Sequence, residues 1–200
     1  MRAEIAQYVS ELTEELIAVR RDLHRHPELA FKEERTAGLV ARRLRELGLK
    51  VKTGVAGTGV VGLLEGSQPG PTVMFRLDMD ALPIQEPQDR PYSSQNPGVM
   101  HACGHDGHTA VGLAVASILA RYRHSIKGRV KLVFQPAEEI IAGAARMVEE
   151  GVMRDPPVDR VLSVHVWPGL PVGTIGVRAG PIFASVDEIA LTIEGRGGHG

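Results

Sequence analysis

The 200-residue chain has one cysteine, one tryptophan and 4% aromatic residues, and neither sign of charge is in excess, with 23 Lys and Arg against 24 Asp and Glu. A single thiol cannot close an internal disulfide, which favours a reducing compartment such as the cytoplasm and leaves that thiol available to a metal. The near-neutral balance argues against nucleic acid and against an anionic membrane as partners. Long hydrophobic runs are missing too. The longest, residues 110–120, is too short to cross a bilayer, and residues 1–8 contain no apolar signal core. There is no internal repeat and no low-complexity tract. With 43% hydrophobic residues the chain can nonetheless bury a real core.

What the chain does have is concentrated. Three of its eight histidines and its only cysteine lie in Met100-His-Ala-Cys-Gly-His-Asp-Gly-His108. Cys103 and His105 stand two apart, flanked by His101 and His108, and thiolate plus imidazole is a donor set that zinc and its first-row neighbours favour. The competing reading makes Cys103 a small buried hydrophobe and the histidines capping or surface residues. A structural zinc site does not fit, because the second Cys or His pair it requires is absent. Further ligands must come from elsewhere in the chain.

Periodicity supplies the framework. Apolar residues at three- and four-residue steps predict helices over residues 3–24, ended by His26-Pro27, and over 34–47, stopped at Gly48. His24 and His26 lie in this helical pattern without an acidic or cysteine neighbour and are set aside as ligands. Short β-rich runs follow at 50–53, 59–64 and 72–77, then a polar loop at 85–99 and an Ala-rich helix at 109–122. A strand at 129–134, a helix at 140–150 and a strand at 158–166 complete the pattern. Strands alternating with helices predict an α/β fold with a central sheet covered by helices on both faces.

Three strand ends in that scheme carry reactive atoms: Asp78 and Asp80, then Glu138 and Glu139, then His165. Open α/β sheets place their sites at such carboxyl ends. Adjacent carboxylates point in different directions, so one can bind a metal while the other faces a water. Their competing reading is a favourable interaction with a helix dipole.

These segments carry a resemblance. Arg76-Leu-Asp-Met-Asp-Ala-Leu-Pro-Ile-Gln-Glu86, the Met100 to His108 run, Gln135-Pro-Ala-Glu-Glu139, His165-Val-Trp-Pro168 and Gly195-Arg-Gly-Gly-His199 look like the ordered motifs of the two-metal amidohydrolases. That group is the aminoacylase and carboxypeptidase G metallopeptidase family, in its hippurate hydrolase and auxin-conjugate hydrolase branch. The resemblance implies a zinc-peptidase-like catalytic domain and two divalent ions per subunit (Zn, Mn, Co or Ni), with Cys103, His105, Glu139 and His165 as metal ligands. It implies a metal-activated water that attacks the amide of an N-acyl-L-amino acid, with Glu138 as general base and Asp80 orienting a ligand. Asp78 stands where other branches place a metal-binding histidine. His199 resembles the lid histidine that, in related dimers, reaches a neighbouring active site and polarises the substrate carbonyl.

On the same grounds, residues 1–184 are expected to be the first part of the catalytic domain, and 185–200 the beginning of an inserted α+β lid and dimerisation domain. The chain stops just after a strand-like run, as if cut within a longer protein, and the family's last metal histidine and carboxylate-gripping groups are expected beyond it. A homo-oligomer and a small-molecule substrate follow from the resemblance. The alternatives are a small-peptide carboxypeptidase or dipeptidase of the same family, a non-catalytic metal-binding protein, and a hydrolase using Cys103 as nucleophile.

Overall fold

The computed structural model describes residues 2–185, 187 and 189–199. The segment assigned from sequence to a lid, 185–200, thus has Val186, Glu188 and Gly200 outside the described residues. The chain forms two compact units, Met1–Val166 and Trp167–Gly200.

In the first unit, helices α1 (Arg2–Arg25) and α2 (Glu34–Glu46) precede strands β1 (Lys50–Val55), β2 (Gly59–Glu65) and β3 (Gln68–Asp78). Then come α3 (His105–Arg121), β4 (Lys127–Gln135), α4 (Gly143–Glu149) and β5 (Arg160–Ser163). The five strands form one sheet in the order β1-β2-β4-β3-β5. The β1–β2 hairpin is antiparallel and β2 runs antiparallel to β4, whereas β3 is parallel to both β4 and β5. The carboxyl ends of β3, β4 and β5 therefore lie at the same edge.

Side-chain alternation along the strands divides the apolar residues between the two faces. Leu64, Phe75, Leu77, Leu132 and Phe134 pack with Val40 and Leu44 of α2 and with Leu113 and Ala116 of α3. Met74 and Val133 turn to the other face and meet Met147 of α4 and Val152. Helices on both faces follow from this alternation, as the sequence pattern predicts. Helix α3 lies close to the sheet at Gly112, where a Cβ would stand 2.6 Å from Leu77 Cδ1 and 2.9 Å from the Phe134 ring.

Three predicted boundaries shift. Helix α3 starts at His105 rather than 109, because Gly104, at φ 84°, turns the chain into the helix four residues early. Helix α4 starts at Gly143 rather than 140, since Ala137 (φ 51°) and Ile141 (φ 55°) both adopt left-handed backbone and close a turn first. Strand β5 stops at Ser163 rather than 166, leaving His165 beyond the strand.

The second unit contains no helix or strand among its described residues. Turns close where the Leu170 N–H donates to the Trp167 carbonyl and the Thr174 N–H to the Pro171 carbonyl. The Trp167 and Phe183 rings lie 6.2 Å apart. The strand-like run expected near the end of the chain is not a strand among the described residues. β-prone residues of this unit, among them Ile175, Val177, Leu191 and Ile193, are exposed, and an extended segment becomes a strand only where a neighbour completes its hydrogen-bond ladder.

A buried ionic cluster joins α1 to the first turn of α3. His24, 2% exposed, bonds Asp106 Oδ2 through Nδ1 at 2.7 Å and Glu86 Oε1 through Nε2 at 2.9 Å. Carboxylates only accept, so both ring nitrogens donate and the ring is an imidazolium. The Asp106 bond, outweighing burial, raises the His24 pKa from 6.5. Arg20 Nε adds a contact to Asp106 at 2.7 Å. The acidic neighbours that the local sequence denied His24 come from 62 and 82 residues away, and they commit both nitrogens, so His24 is no metal ligand.

Two outcomes are expected. Gly112→Val, by forcing α3 off the sheet, should destabilise the protein by about 1–3 kcal/mol, seen as a lower urea midpoint; an unchanged midpoint would contradict the close approach. His24→Ala should cost about 3 kcal/mol where the clamp is charged. Because the folded pKa of His24 is raised, its contribution is complete below its unfolded value of 6.5 and is lost as pH climbs through the folded value. The lowered pKa values of Asp106 and Glu86 place the acid-side loss below 3.8 and 4.5. The stability gap between wild type and variant should thus be widest between about pH 5 and pH 6 and shrink as pH is raised above 6.5; urea titrations in which the gap does not shrink toward alkaline pH would refute the charged clamp.

Candidate metal centre and active site

The site is assembled from three strand ends and one helix start. Strand β3 delivers Asp78 and, just beyond it, Asp80. The turn after β4 delivers Glu138 and Glu139, and the segment after β5 delivers His165. The first turn of α3 brings His105 and His108, with Cys103 immediately ahead. Gly104 is required at this junction, since its φ is 84° and a Cβ would lie 2.5 Å from Val166 Cγ2.

Three overlapping groups have ligand atoms within 4.8 Å of one another: Cys103, His105 and His165; His105, Glu138 and Glu139; and Asp78, His105 and His108. His105 is common to all. Its Nδ1 donates to the Asp80 carbonyl at 2.9 Å and lies 3.3 Å from Asp80 Oδ1. That fixes the tautomer and turns Nε2 toward Glu139 Oε1 at 3.6 Å, Asp78 Oδ1 at 3.7 Å and Glu138 Oε2 at 3.9 Å. Asp78 and Asp80 therefore approach the same imidazole from opposite nitrogens.

His108 and Asp78 form a closed relay. The Val166 N–H donates to His108 Nε2 at 2.9 Å, so Nδ1 carries the proton and donates to Asp78 Oδ1 at 2.6 Å. Arg76 Nη1 holds the other Asp78 oxygen at 2.8 Å, and its Nε donates to Gln135 Oε1 at 2.8 Å. Both nitrogens of His108 and both oxygens of Asp78 are committed. These two residues are thereby taken out of the available donor set, although their spacing would admit an ion.

His165 Nδ1 donates to the Val166 carbonyl at 2.6 Å, while Nε2 lies 3.4 Å from Cys103 Sγ. Burial, reinforced by the Glu139 and Glu138 carboxylates, pushes the Cys103 thiol up to about 12. A nucleophilic cysteine needs the opposite, a thiol acidified by positive neighbours. Burial and the Asp78 charge raise the Glu138 pKa, only partly offset by His105 and Arg76. Burial alone would raise Asp78 and Asp80, but the His108 bond in one case and the His105 bond in the other lower them, so both stay ionised. At His105 burial opposes the charged ring, and Asp80 with Asp78 and Glu139 overcomes it to raise the pKa.

The donor set fits a divalent cation. Among the described residues, His105 Nε2 and Glu139 Oε1 are buried without a hydrogen-bond partner, and they face each other with a thiol and a second carboxylate alongside. Two buried acceptor atoms facing each other without a donor are costly unless a cation joins them. Soft sulfur, imidazole and carboxylate together suit a first-row transition ion.

The structure brings together Asp80, Cys103, His105, Glu138, Glu139 and His165 from the sequence-based set. His199 lies exposed in the second unit. Sequence reading passed over Arg76, two residues before Asp78 and on its face, and gave no role to His108. It also missed Glu33, fully buried between α1 and α2, whose Oε1 accepts the Ala137 N–H at 2.9 Å; nothing near Glu33 in the sequence signals that contact.

Known proteins resemble this chain in sequence and in fold. The model of peptidase family M20/M25/M40 matches residues 74–198. An N-acyl-L-amino acid amidohydrolase of Geobacillus stearothermophilus is 46% identical over 200 residues, 100% of this chain and 54% of its own length. The IAA-amino acid hydrolase ILR1-like 2 of Arabidopsis thaliana is 41% identical over 94% of this chain and 42% of its own length. The Bacillus subtilis YXEP protein, described as a dinuclear metal binding peptidase, superposes with a TM-score of 0.82 at 44% identity, over 86% of this chain and 48% of its own. The chain spans about half the length of the curated relatives it matches. With more than half of its residues matched by the family model, the chain belongs to peptidase family M20/M25/M40.

Proposed function

We propose that the protein to which this chain belongs is a metal-dependent amidohydrolase that cleaves the amide bond of N-acyl-L-amino acids, releasing a carboxylic acid and an amino acid. The observation that carries this reading is the pair of groups that meet at His105, Cys103 with His165 and Glu138 with Glu139, each with its ligand atoms within 4.8 Å of one another. Similarity to an N-acyl-L-amino acid amidohydrolase and to an IAA-amino acid hydrolase supports the substrate class.

Cys103, His105, Glu139 and His165 would hold two divalent ions, of zinc, manganese, cobalt or nickel. Bound there, such ions act as Lewis acids on a water and on the amide carbonyl. Glu138, the less buried of the adjacent carboxylates, takes the proton of the attacking water and delivers it to the leaving nitrogen; its raised pKa suits a group that must both accept and give a proton. Asp80 keeps the His105 Nδ1 proton in place, so that Nε2 presents its lone pair to the site. Glu139, whose N–H is held by Asp80 Oδ2 at 3.0 Å, is fixed beside it.

In this reading residues 185–200 begin a lid and dimerisation domain, the assembly is a homo-oligomer, and His199 polarises the substrate carbonyl at a neighbouring site. A thiol that serves as a ligand has to stay reduced, which fits the cytoplasm. No helix of the described chain is long and apolar enough to cross a membrane.

For the full-length protein, hydrolysis of N-acetyl- and N-benzoyl-amino acids is expected to vanish on chelation and to return with divalent ions. A cysteine hydrolase would survive chelation, and a binding protein would hold ions without turnover. Glu138→Gln should keep the ion content while lowering kcat by at least about 100-fold; full activity in that variant would remove Glu138 from the base role.

A further inference from the structure

The turn that carries Glu138 is pinned from both sides by buried carboxylates. On the far side, Asp80 Oδ2 accepts the Glu139 N–H at 3.0 Å. On the near side the partner is Glu33, 104 residues away, whose Oε1 accepts the Ala137 N–H at 2.9 Å. Between these two bonds stands only the peptide plane of Glu138. Ala137 is held at φ 51°, a left-handed conformation that disfavours any residue with a Cβ. Its carbonyl accepts the N–H groups of Ala142 and Gly143, at 3.3 and 3.1 Å, which closes the turn.

The N–H groups of Phe31 and of Glu33 itself also face the Glu33 carboxyl. Glu33 is fully buried and is not one of the residues grouped as possible metal donors. It occupies the N-cap of α2, yet its side chain makes no capping bond; Glu28 accepts the Arg35 and Thr36 N–H groups instead. The second Glu33 oxygen accepts the Thr58 hydroxyl, which locks the carboxyl toward Ala137.

We propose that Glu33 is a positioning residue for Glu138, holding Ala137 in left-handed backbone so that the Glu138 carboxylate stands over the donor cluster. This rests on the amidohydrolase reading for its catalytic consequence, while its structural half stands alone. An amide-group replacement keeps the acceptor that Ala137 needs, a shortened carboxylate withdraws it, and glycine at 137 adopts positive φ without a Cβ penalty.

The test uses the full-length protein, with kcat, KM, bound ions and amide hydrogen exchange of residues 137–139 measured together, well below the unfolding temperature. Glu33→Ala should lower kcat by about 10- to 100-fold, leave KM and ion content within about twofold, and speed exchange at 137–139 alone. Glu33→Gln should retain most turnover, and Ala137→Gly added to Glu33→Ala should restore most of the loss. Wild-type kcat and exchange in Glu33→Ala would overturn the proposal, as would a loss that Ala137→Gly does not relieve. Should Glu33→Ala fail to fold, Glu33→Asp against Glu33→Gln carries the test: impaired turnover in the former alone supports the proposal, and equal turnover overturns it. A wild-type protein that hydrolyses no acyl-amino acid would end the amidohydrolase reading, and the exchange rates would still decide whether Glu33 holds Ala137.

Discussion

Five carboxyl groups, those of Glu33, Asp78, Asp80, Glu86 and Asp106, are almost wholly buried around one end of the sheet. A carboxylate withdrawn from water is destabilising until it finds opposite charge or several donors, and the local architecture is the set of solutions to that requirement. Asp106 and Glu86 share the His24 imidazolium, which draws the end of α1 onto the start of α3. Asp78 is divided between Arg76 and His108, and Asp80 between His105 and the Glu139 N–H. Glu33 takes two donors from distant turns, and burial keeps its pKa raised.

Each of these pairings also restrains a residue of the candidate site. His108, locked by Asp78, receives the Val166 N–H and so fixes the chain beside His165. Asp80 sets the tautomer of His105 and the backbone of Glu139. Not every atom is matched: among the described residues Asp80 Oδ1, Asp106 Oδ1, His105 Nε2 and Glu139 Oε1 are buried without hydrogen-bond partners, and the last two face each other. Between the facing imidazole and carboxylate, a cation would supply the positive charge that the side chains do not. The similarity to a dinuclear metal binding peptidase is in keeping with that reading.

Much of this was legible in the sequence, for physical reasons. Apolar spacing in α1 and α2 and alternation in β2, β3 and β4 are written locally, and the elements formed close to where the pattern placed them. Cys103, His105, Glu138 and Glu139 declared themselves because donor atoms were crowded into short turns. What failed to show was set by backbone conformation or by distance along the chain. Ala137 and Ile141 in left-handed backbone delayed α4, and neither residue type announces that geometry. Gly104 started α3 inside the histidine cluster. His24 looked isolated because Glu86 and Asp106 reach it only after folding, and Glu33 was invisible because its partner is a backbone N–H. In the second unit, apolar β-prone residues stand exposed without a ladder, so their strand pattern went unrealised.

The central claim is that residues from three strand ends and one helix start form a two-ion site. Anomalous X-ray diffraction from crystals of the full-length protein grown with a divalent transition ion tests it directly. Two anomalous peaks are expected within the space bounded by Cys103, His105, Glu138, Glu139 and His165, at least one of them at bonding distance, about 2.3 Å, from the Cys103 sulfur. Peaks elsewhere with Cys103 and His105 unligated, or none at all at saturating ion, would contradict the account.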